Sequence, residues 1–509
     1  MDGPMPFSRR ELLGMGLAAT LLPDFAGAAS KPRRGGRIRV ASVASSTADT
    51  LDPAKGSLST DYVRHYMAYS GLTQLDRQMQ GRPGLAESFE SRDQMVWRFH
   101  LRKGVTFHNG KSLTSADVVY SLLRHKDPLT GSKVASIADQ FLAVRAVSTH
   151  EVEITLSGPN VDLPIILSQS HFLIVPAGEK AFRTGNGTGP YRIVDFKPGI
   201  RTIGRRFENY YKPGKPYLDE IELIGIPDEV SRVNALLSGD VHLINAVNAR
   251  SSKRILAGGR GLLESQSSFY TNLIMRQDML PTSNPHFVMA MKNLLDRPLI
   301  KRALFRNYAT IANDHPIPPF HPFCRDDLPQ TVLDLDKARY HLRKAGLTGV
   351  RLPMFAAPAA EGSVDMASIL QEYGGRVGLN LAVNRVPADG YWSTHWMKHP
   401  LTFGNTNPRP TADMLFSVFY KSDAAWNESG WKNPRFDKLL VEARGEADFA
   451  RRKQLYGEMQ GLVRDHCGVG IPVFISLIDG YDKRLKGLYP VPLGGFMGYT
   501  FAEHVWWEG

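Results

Sequence analysis

The stretch WRFHLRKGVTFHNG, residues 97–110, decides the fold of this chain. Apolar side chains from Trp97 to Leu101 alternate with polar ones, which is the period of a strand that buries one face. Asn109-Gly110 is a strong turn signal. We therefore predict a β-hairpin over Phe99–Phe107.

A helix is predicted directly after this segment, over the sequence TSADVVYS of Thr114–Ser121. Thr114 stands where an N-cap residue is expected. Asp117 follows three residues later, as in a capping box. The spacing of Val118 and Leu122 then continues with helical period. Strand and helix thus follow each other closely in this part of the chain.

Similar signals recur on both sides without an internal repeat. We predict a first strand over Gly36–Ser42, a strand over Val241–Val247, and helices that begin at Ser59-Thr60 (ended by Gly71), after Asp228 (ended by Gly239), and over Asp336–Ala345 and Glu446–Asp465. Strands and helices are mixed along the whole chain. The predicted fold class is therefore α/β, in the sense of a mixed α+β protein.

Length and composition indicate a large globular protein. A chain of 509 residues is too long for a single hydrophobic core, so we predict two or three domains. The hydrophobic content of 42% is enough to form the cores of these domains. The formal net charge of +12 could indicate nucleic-acid binding. Basic residues are dispersed, however, and no basic stripe is interleaved with aromatics. We therefore favour a mildly basic surface and predict no nucleic-acid partner.

The N-terminus predicts where the protein works. Arg9 and Arg10 form a twin-arginine word before an uncharged run over Leu12–Pro23, and Ala26-Gly27-Ala28 has the small residues of a cleavage site. A buried core helix is the alternative, but it would leave both the arginines and the cleavage site unexplained. We predict a signal peptide over residues 1–28 with cleavage after Ala28. With no cysteine nearby to carry a lipid, we expect a soluble periplasmic protein.

A search for cofactor and metal motifs gives nothing. The cysteines Cys324 and Cys467 are too far apart for haem attachment or iron–sulfur ligation, and whether they pair with each other stays open. Histidines are scattered without ligand spacing. We predict no cofactor, no metal and no catalytic residues, since no nucleophile–base pair stands out.

Specific words along the chain then identify a family. Beside residues 97–121 these are Leu51-Asp52-Pro53, Pro83–Ser88 (PGLAES), Gly187–Tyr191 (GTGPY), and Ala338 with Lys344-Ala345-Gly346. In this order and spacing they resemble the solute-binding proteins of peptide/nickel-type ABC importers, extracellular solute-binding protein family 5. We interpret Gly187 and Gly189 as structural residues, which allow positive φ and a close approach of the backbone.

The resemblance implies a two-lobed binding protein that closes over a ligand by hinge motion. Lobe one would have a core domain of residues 31–55, 186–265 and 485–509 with an inserted subdomain of residues 56–185. Lobe two would be residues 266–484. The implied partners are a peptide or other small solute and an inner-membrane permease with its cytoplasmic ATPase. We expect a monomer that delivers the solute for import and is not an enzyme.

Ligand residues are assigned by the same resemblance. Peptide-binding members pair a lobe-two carboxylate with the α-ammonium of the peptide. The matching region here is Thr406–Asp413, in which Asp413 is the acid and Arg409 a second candidate. The alternative is that Asp413 caps the helix starting at Met414.

Two tryptophans follow in the segment AAWNESGW. Trp426 and Trp431 resemble a recognition loop, whereas the alternative is core packing. Tyr391-Trp392 with Trp396 is a lesser candidate group. From lobe one, the loop Ser45-Ser46-Thr47 is expected to line the opposite wall, with Thr47 as the candidate contact.

One departure bears on the ligand. Dipeptide-specific relatives hold the ligand carboxylate with an arginine after a lobe-two strand, but the corresponding stretch Phe355–Ser363 has no Arg or Lys. A strict dipeptide ligand is therefore disfavoured. Longer peptides come first, and an opine, sugar or metal chelate, or a role as a sensor-coupled receptor, stays open.

Overall fold

The computed structural model describes residues 31–509. The predicted signal peptide, with Arg9, Arg10 and Ala28, lies outside the described residues.

The strands and helices alternate along the described chain. The strands are β1 Arg37–Ser42, β2 Thr73–Leu75, β3 Gly81–Pro83, β4 Ala86–Ser91, β5 Val96–Leu101, β6 Phe141–Ser148, β7 Glu151–Leu156, β8 Tyr191–Lys197, β9 Arg201–Arg206, β10 Glu220–Gly225, β11 Leu243–Ile244, β12 Gly261–Met275, β13 Ala309–Ile311, β14 Arg351–Ala356, β15 Asn380–Arg385, β16 Leu401–Thr406, β17 Val469–Gly470, β18 Val473–Tyr481, β19 Leu485–Lys486 and β20 Trp506–Trp507. The helices are α1 Ser59–Ala68, α2 Ser115–Leu123, α3 Ala135–Ala138, α4 Leu163–Ile166, α5 Glu229–Ser238, α6 Ser252–Ala257, α7 Pro285–Asn293, α8 Arg297–Ala303, α9 Leu335–Lys344, α10 Ser363–Val377, α11 Tyr391–Thr394, α12 Ala412–Phe419, α13 Pro434–Gly445, α14 Phe449–His466 and α15 Gly495–Gly498. Short 3₁₀ turns lie at Pro53–Lys55, Arg124–Lys126, Pro128–Thr130, Ser170–Phe172, Ala249–Ser251 and Phe501–Glu503. The mixed α/β fold class is confirmed.

Two long strands connect the two halves of the molecule. The main sheet has the order β16-β12-β18-β11-β1-β10-β9-β8, with β13 beside β18 and β17 beside β12. The first part of β12 pairs with β18 from Gly261↔Tyr481 to Ser265↔Leu477, and its last part pairs with β16. We call residues 31–265 and 485–509 lobe one and residues 266–484 lobe two. The predicted boundary at residue 265 thus falls inside β12, and the domain limits themselves stay predictions.

Residues 97–101, at the start of the segment WRFHLRKGVTFHNG, lie in a separate four-stranded sheet. Its order is β4-β5-β7-β6, all antiparallel, and Trp97, Phe99 and Leu101 of β5 enter an apolar core with α2. The predicted hairpin over Phe99–Phe107 is wrong. The partners of β5 are β4 and β7, and the chain after Leu101 forms a tight turn instead, closed by the bond from the Phe107 amide to the Lys111 carbonyl at 2.8 Å.

Local capping follows the sequence closely in α2. The amide of Thr114 donates to Asp117 Oδ2 at 2.9 Å, as the capping-box pattern predicts.

The predicted strand over Val241–Val247 shortens to the two residues of β11, because only Leu243 and Ile244 pair with β1 and β18.

The glycines of GTGPY serve close packing only. Neither Gly187 nor Gly189 has positive φ, contrary to the prediction. A Cβ at Gly187 would lie 2.0 Å from the Ala68 carbonyl oxygen, and one at Gly189 would lie 2.5 Å from the Tyr69 amide. Both positions therefore require glycine, because their backbone lies directly against the end of α1 and leaves no room for a side chain.

Three absences can be stated for residues 31–509. No helix there has the length and apolarity needed to cross a membrane. The same residues contain no group of three or more His, Cys, Asp or Glu placed to hold a metal ion. Both cysteines are unpaired, and the buried Cys467 thiol lies 3.3 Å from the Ser429 hydroxyl.

Candidate functional site

A cavity of about 1290 Å³ lies between the two lobes, beside the connecting strand β18. Lobe one contributes α1, the start of α5 and the chain around α15, whereas lobe two contributes the segment after β16, the start of α12 and the chain before α10. The residues Ile475–Asp479 of β18 form the back wall. A cavity of this size is larger than a typical drug-sized site and has room for a short peptide.

Arg409 is a half-buried cation in the wall of this cavity. It follows β16 in the segment Asn407–Pro410, and its guanidinium lies 5.6 Å from the centre of the Phe419 ring. Its one side-chain hydrogen bond among the described residues goes to the Pro408 carbonyl at 3.3 Å, and it has no carboxylate within ion-pair distance. Burial lowers the pKa of Arg409.

Aromatic side chains from lobe one line the same cavity as this arginine. The rings of Tyr62 and Tyr499 lie 5.2 Å apart, and the Tyr62 ring lies 5.5 Å from that of His171. All three line the cavity, together with Trp426 of lobe two, which is 47% exposed. Exposed aromatic faces around a cavity supply contact area for a ligand at low entropic cost.

Tyr499 is held in place by an unusual backbone turn. Within α15, Phe496 and Met497 both have φ near +58°, and Tyr499 follows with φ of +72°. Consecutive non-glycine residues in this conformation are strained, and such strain persists only where the surroundings enforce it. Here the buried Phe496 and Met497 side chains enter the lobe-one core, and the Phe496 amide donates to Asp479 at 2.5 Å.

Asp479 is a buried carboxylate in the back wall. It is 2% exposed and lies on β18, and its second oxygen, Oδ1, has no hydrogen-bond partner among the described residues. Burial raises the pKa of Asp479 to about 7, only partly offset by the Phe496 amide.

Two further acids line the cavity from opposite lobes. Glu229 begins α5 in lobe one, and Glu361 precedes α10 in lobe two. Burial raises the pKa of Glu361, and the negative charge of Glu229 raises it further.

The edge of the cleft is closed by direct contacts between the lobes. Arg452 of α14 forms a 2.6 Å ion pair with Asp162, and both side chains are less than 10% exposed. Beside it, the Val161 amide donates to the Arg444 carbonyl at 3.0 Å. We call these two contacts the edge contact.

The structure brings two of the predicted ligand residues to the cavity. Arg409 and Trp426 line it, whereas Asp413, Trp431 and Thr47 do not. Trp431 is 6% exposed and packs on Phe436 with ring centres 5.3 Å apart, as the core-packing alternative expects. Thr47 lies beside Gly199 because the chain turns away after Val43, which does line the cavity.

Asp413 lies behind the edge contact. Its Oδ1 accepts a 3.0 Å hydrogen bond from Arg444 Nε, and burial raises its pKa while Arg444 lowers it. The proposed capping role is wrong, because the helix cap is Thr411, whose hydroxyl accepts from the Met414 amide at 3.1 Å. The lesser group also lies elsewhere: Tyr391 is fully buried, and Trp396 donates to the buried Glu428 at 2.7 Å.

Sequence reasoning missed the cavity residues Glu229, Glu361, Asp479, Tyr62 and Tyr499. Glu361 lies in the stretch Phe355–Ser363, which has no Arg or Lys. Its carboxylate was the feature of the sequence that could have indicated a cavity residue there. The glycines around Phe496 were a signal for the turn that carries Tyr499.

Residues 80–428, more than half of the chain, match the family described as bacterial extracellular solute-binding proteins, family 5 Middle. The chain belongs to this family. The family 5 assignment makes it a solute-binding protein of the ABC importer type. The glutathione-binding protein GsiB of Escherichia coli K12 is 25% identical over 96% of this chain and 97% of that protein.

Solved structures share the fold of this family 5 chain. AgaA of A. tumefaciens R10, in complex with agropinic acid, has a TM-score of 0.77 at 24% identity and covers 93% of this chain and 99% of AgaA. DppA of Helicobacter pylori, in complex with the peptide STSA, has a TM-score of 0.77 at 21% identity and covers 94% and 99%. The two-lobed binding-protein fold predicted from the sequence is confirmed.

Proposed function

We propose that this family 5 protein captures a carboxylate-bearing solute derived from amino acids, a short peptide in the first place, between its two lobes. The observation that carries this proposal is Arg409, a cation in the wall of the interlobe cavity without a carboxylate partner. A partly buried charge is stabilised when an opposite charge lies beside it. A ligand carboxylate would supply the missing partner.

The relatives support this ligand class. GsiB is named for glutathione, AgaA was solved with agropinic acid, and DppA was solved with a peptide. All three ligands are carboxylic acids. The cavity volume of about 1290 Å³ suits ligands of that size, and the aromatic rings of Tyr62, Tyr499 and Trp426 offer contacts that do not depend on one side-chain sequence.

Ligand would act by stabilising the closed arrangement of the lobes. A ligand shifts such an equilibrium only through contacts that differ between the two states. Arg409 lies on lobe two and Tyr62 and Tyr499 on lobe one, so a solute between them touches both lobes only when they are close. The strands β12 and β18, which run through both lobes, would be the hinge.

The remaining parts of the proposal follow from the N-terminus and the family. The twin-arginine word at Arg9 and Arg10 supports export to the periplasm, with the mature chain starting at Ala29. There the closed protein, acting as a monomer, would deliver its solute to the membrane permease, and the cytoplasmic ATPase would drive import.

Mass spectrometry of the protein purified from the periplasmic fraction tests the proposal. The intact mass should place the first residue at Ala29, and denaturation should release a bound solute that carries a carboxylate. Calorimetric titration of that solute into Arg409→Gln should show affinity reduced tenfold or more, because the ligand carboxylate loses its cation, an effect of at least about 1.4 kcal/mol.

Arg435→Gln is the matched control, since Arg435 is an exposed lobe-two arginine paired with Glu458. It should bind like the unchanged protein. Release of a neutral sugar, or unchanged affinity in Arg409→Gln, would overturn the proposed ligand class.

A further inference from the structure

A left-handed turn in lobe one places Tyr499 at the cavity. Four consecutive residues, from Phe496 to Tyr499, have φ between +58° and +72°. The Gly498 amide donates to the Gly494 carbonyl at 3.1 Å. The Tyr499 amide donates to the Gly495 carbonyl at 3.0 Å, and these two bonds close the turn. A left-handed turn of L-residues is sterically unfavourable, so contacts from outside the turn must hold it in this shape.

Asp479 supplies one of these contacts from the neighbouring strand β18. Its Oδ2 accepts a 2.5 Å hydrogen bond from the amide of Phe496, the first residue of the turn with positive φ. The Gly495 backbone lies so close that a Cβ there would be 2.8 Å from Asp479 Oδ1. The carboxylate is almost fully buried in this position. It is therefore placed to hold the turn and offers almost no surface to a solute.

Gly494 restrains the tyrosine in a second way. Its φ of 176° is extended backbone that any residue adopts, so the conformation itself does not require glycine. A Cβ at Gly494 would, however, lie 2.6 Å from Cζ of Tyr499. The tyrosine ring thus packs directly on the glycine backbone, and only glycine leaves room for it.

The position of Tyr499 matters because of the surface that it forms with Tyr62. The two rings lie 5.2 Å apart, and both line the cavity from lobe one. Aromatic rings give a solute a large contact area at low entropic cost. A change in the turn would remove the Tyr499 part of this surface and leave Arg409, on lobe two, in place.

We propose that Asp479 is a positioning residue for solute binding, which fixes the left-handed turn through the Phe496 amide and so holds Tyr499 against the solute. This inference rests on the proposed function and deepens it, because it names a lobe-one contact for the body of the solute, whose carboxylate pairs with Arg409. A surface that is fixed before the solute arrives loses little conformational freedom on binding, which favours affinity.

A double-mutant cycle on solute affinity tests the inference. The probe is the solute that denaturation releases from the purified protein, titrated by calorimetry into the unchanged protein, Asp479→Ala, Tyr499→Ala and the double variant. We expect binding about tenfold weaker in each single variant. The double variant should bind within about threefold of Tyr499→Ala, because both substitutions remove the same contact.

Two further variants separate positioning from direct contact. Asp479→Asn keeps an oxygen that accepts from the Phe496 amide and removes the charge, so affinity should stay within about threefold of the unchanged protein. Gly494→Ala should weaken binding about tenfold by itself and add nothing to Tyr499→Ala, since its Cβ acts on the tyrosine ring. Both variants can be measured even if Asp479→Ala does not fold.

Hydrogen exchange of the ligand-free protein gives a result that needs no solute. The amides of Phe496, Gly498 and Tyr499 should exchange about tenfold or more faster in Asp479→Ala, because the turn opens locally when it loses this contact. Thermal unfolding of the same preparation checks that the variant is folded.

Asp482→Ala is the matched control. Asp482 is also a buried carboxylate, directly after β18, but it pairs with Arg260 and Arg484 and does not line the cavity. The substitution should change neither solute affinity nor the exchange of the turn amides by more than about twofold.

Any of four outcomes overturns the inference: unchanged affinity in Tyr499→Ala, losses that add in the double variant, a tenfold loss in Asp479→Asn, or unchanged exchange of the turn amides in Asp479→Ala. The proposed function fails separately, if the released solute lacks a carboxylate or if Arg409→Gln binds it normally.

Discussion

The edge contact and the cavity lie on the same cleft but treat charge in opposite ways. At the edge, Arg452 and Asp162 are buried and neutralise each other across the lobes. In the cavity, Arg409 and Glu361 come from the same lobe as Arg452, yet neither has an ion-pair partner among the described residues.

The difference separates two tasks. A buried pair whose partners are both protein groups stabilises closure whether or not a solute is present. Unpaired charges in the cavity make the closed state depend on what fills it. The protein can therefore approach the closed state through its edge and still require the correct solute to complete it.

Removing the edge pair should have the largest effect. In Asp162→Asn, Arg452 would be buried in the closed state without its carboxylate, which costs about 3 kcal/mol or more, whereas in the open state water solvates it. We expect a larger radius of gyration of ligand-free protein by small-angle scattering. The apparent affinity for the copurified solute should fall about 100-fold.

Arg451→Gln is the control for this experiment, because the neighbouring Arg451 pairs with the exposed Glu442 within lobe two. It should change neither quantity by more than about twofold. An Asp162→Asn protein as compact as the unchanged protein would show that the edge pair does not contribute to closure.

A smaller effect is expected for Asp413, behind the edge. Asp413→Asn weakens the bond to Arg444 Nε, whose side chain is one-third exposed, so unfolding free energy should fall by about 1–2 kcal/mol in urea titrations. Solute affinity should change less than threefold, since Asp413 does not line the cavity.

The resemblance-based prediction for Asp413 gives the reverse result. If its carboxylate binds the ligand ammonium, affinity falls tenfold or more in the same variant. Calorimetry and urea unfolding on one preparation therefore decide between the two roles.

The smallest effect concerns the two tryptophans. Trp426 lines the cavity and is half-exposed, so its fluorescence should change when solute binds, and Trp426→Phe should remove that change with about twofold weaker binding. Trp431→Phe should keep the change, because Trp431 is buried in the lobe-two core. A signal that disappears in Trp431→Phe instead would place the recognition site differently.

Much of the fold could be predicted from local sequence. The capping box at Thr114 and the helix before Gly346 depend on near neighbours, and both are found where the patterns place them. The partners of β5 could not be predicted, because β7 lies 50 residues further along the chain and nothing local specifies it.

The site was harder to predict for the same reason. Arg409 was identified in the segment that resembles the ligand region of the family, and Trp426 in the tryptophan-rich segment that follows it. Glu229 and Glu361 line one cavity only because the fold brings the two lobes together, and a single glutamate in either place looks like an ordinary surface residue in the sequence. Asp413 shows the reverse situation. Its position in the sequence fits a ligand-binding acid, but its carboxylate is bonded to Arg444 within the protein.

The last residues of the chain close lobe one beside its first strand. Trp507 Nε1 donates to the Arg37 carbonyl 470 residues earlier at 3.0 Å, and Phe501 and Val505 share a core with Ile38. Contacts between such distant residues form late in folding. Residues 501–507 must therefore reach the first strand before the lobe-one core around Ile38 is complete, so loss of these residues would leave apolar surface of that core open to water.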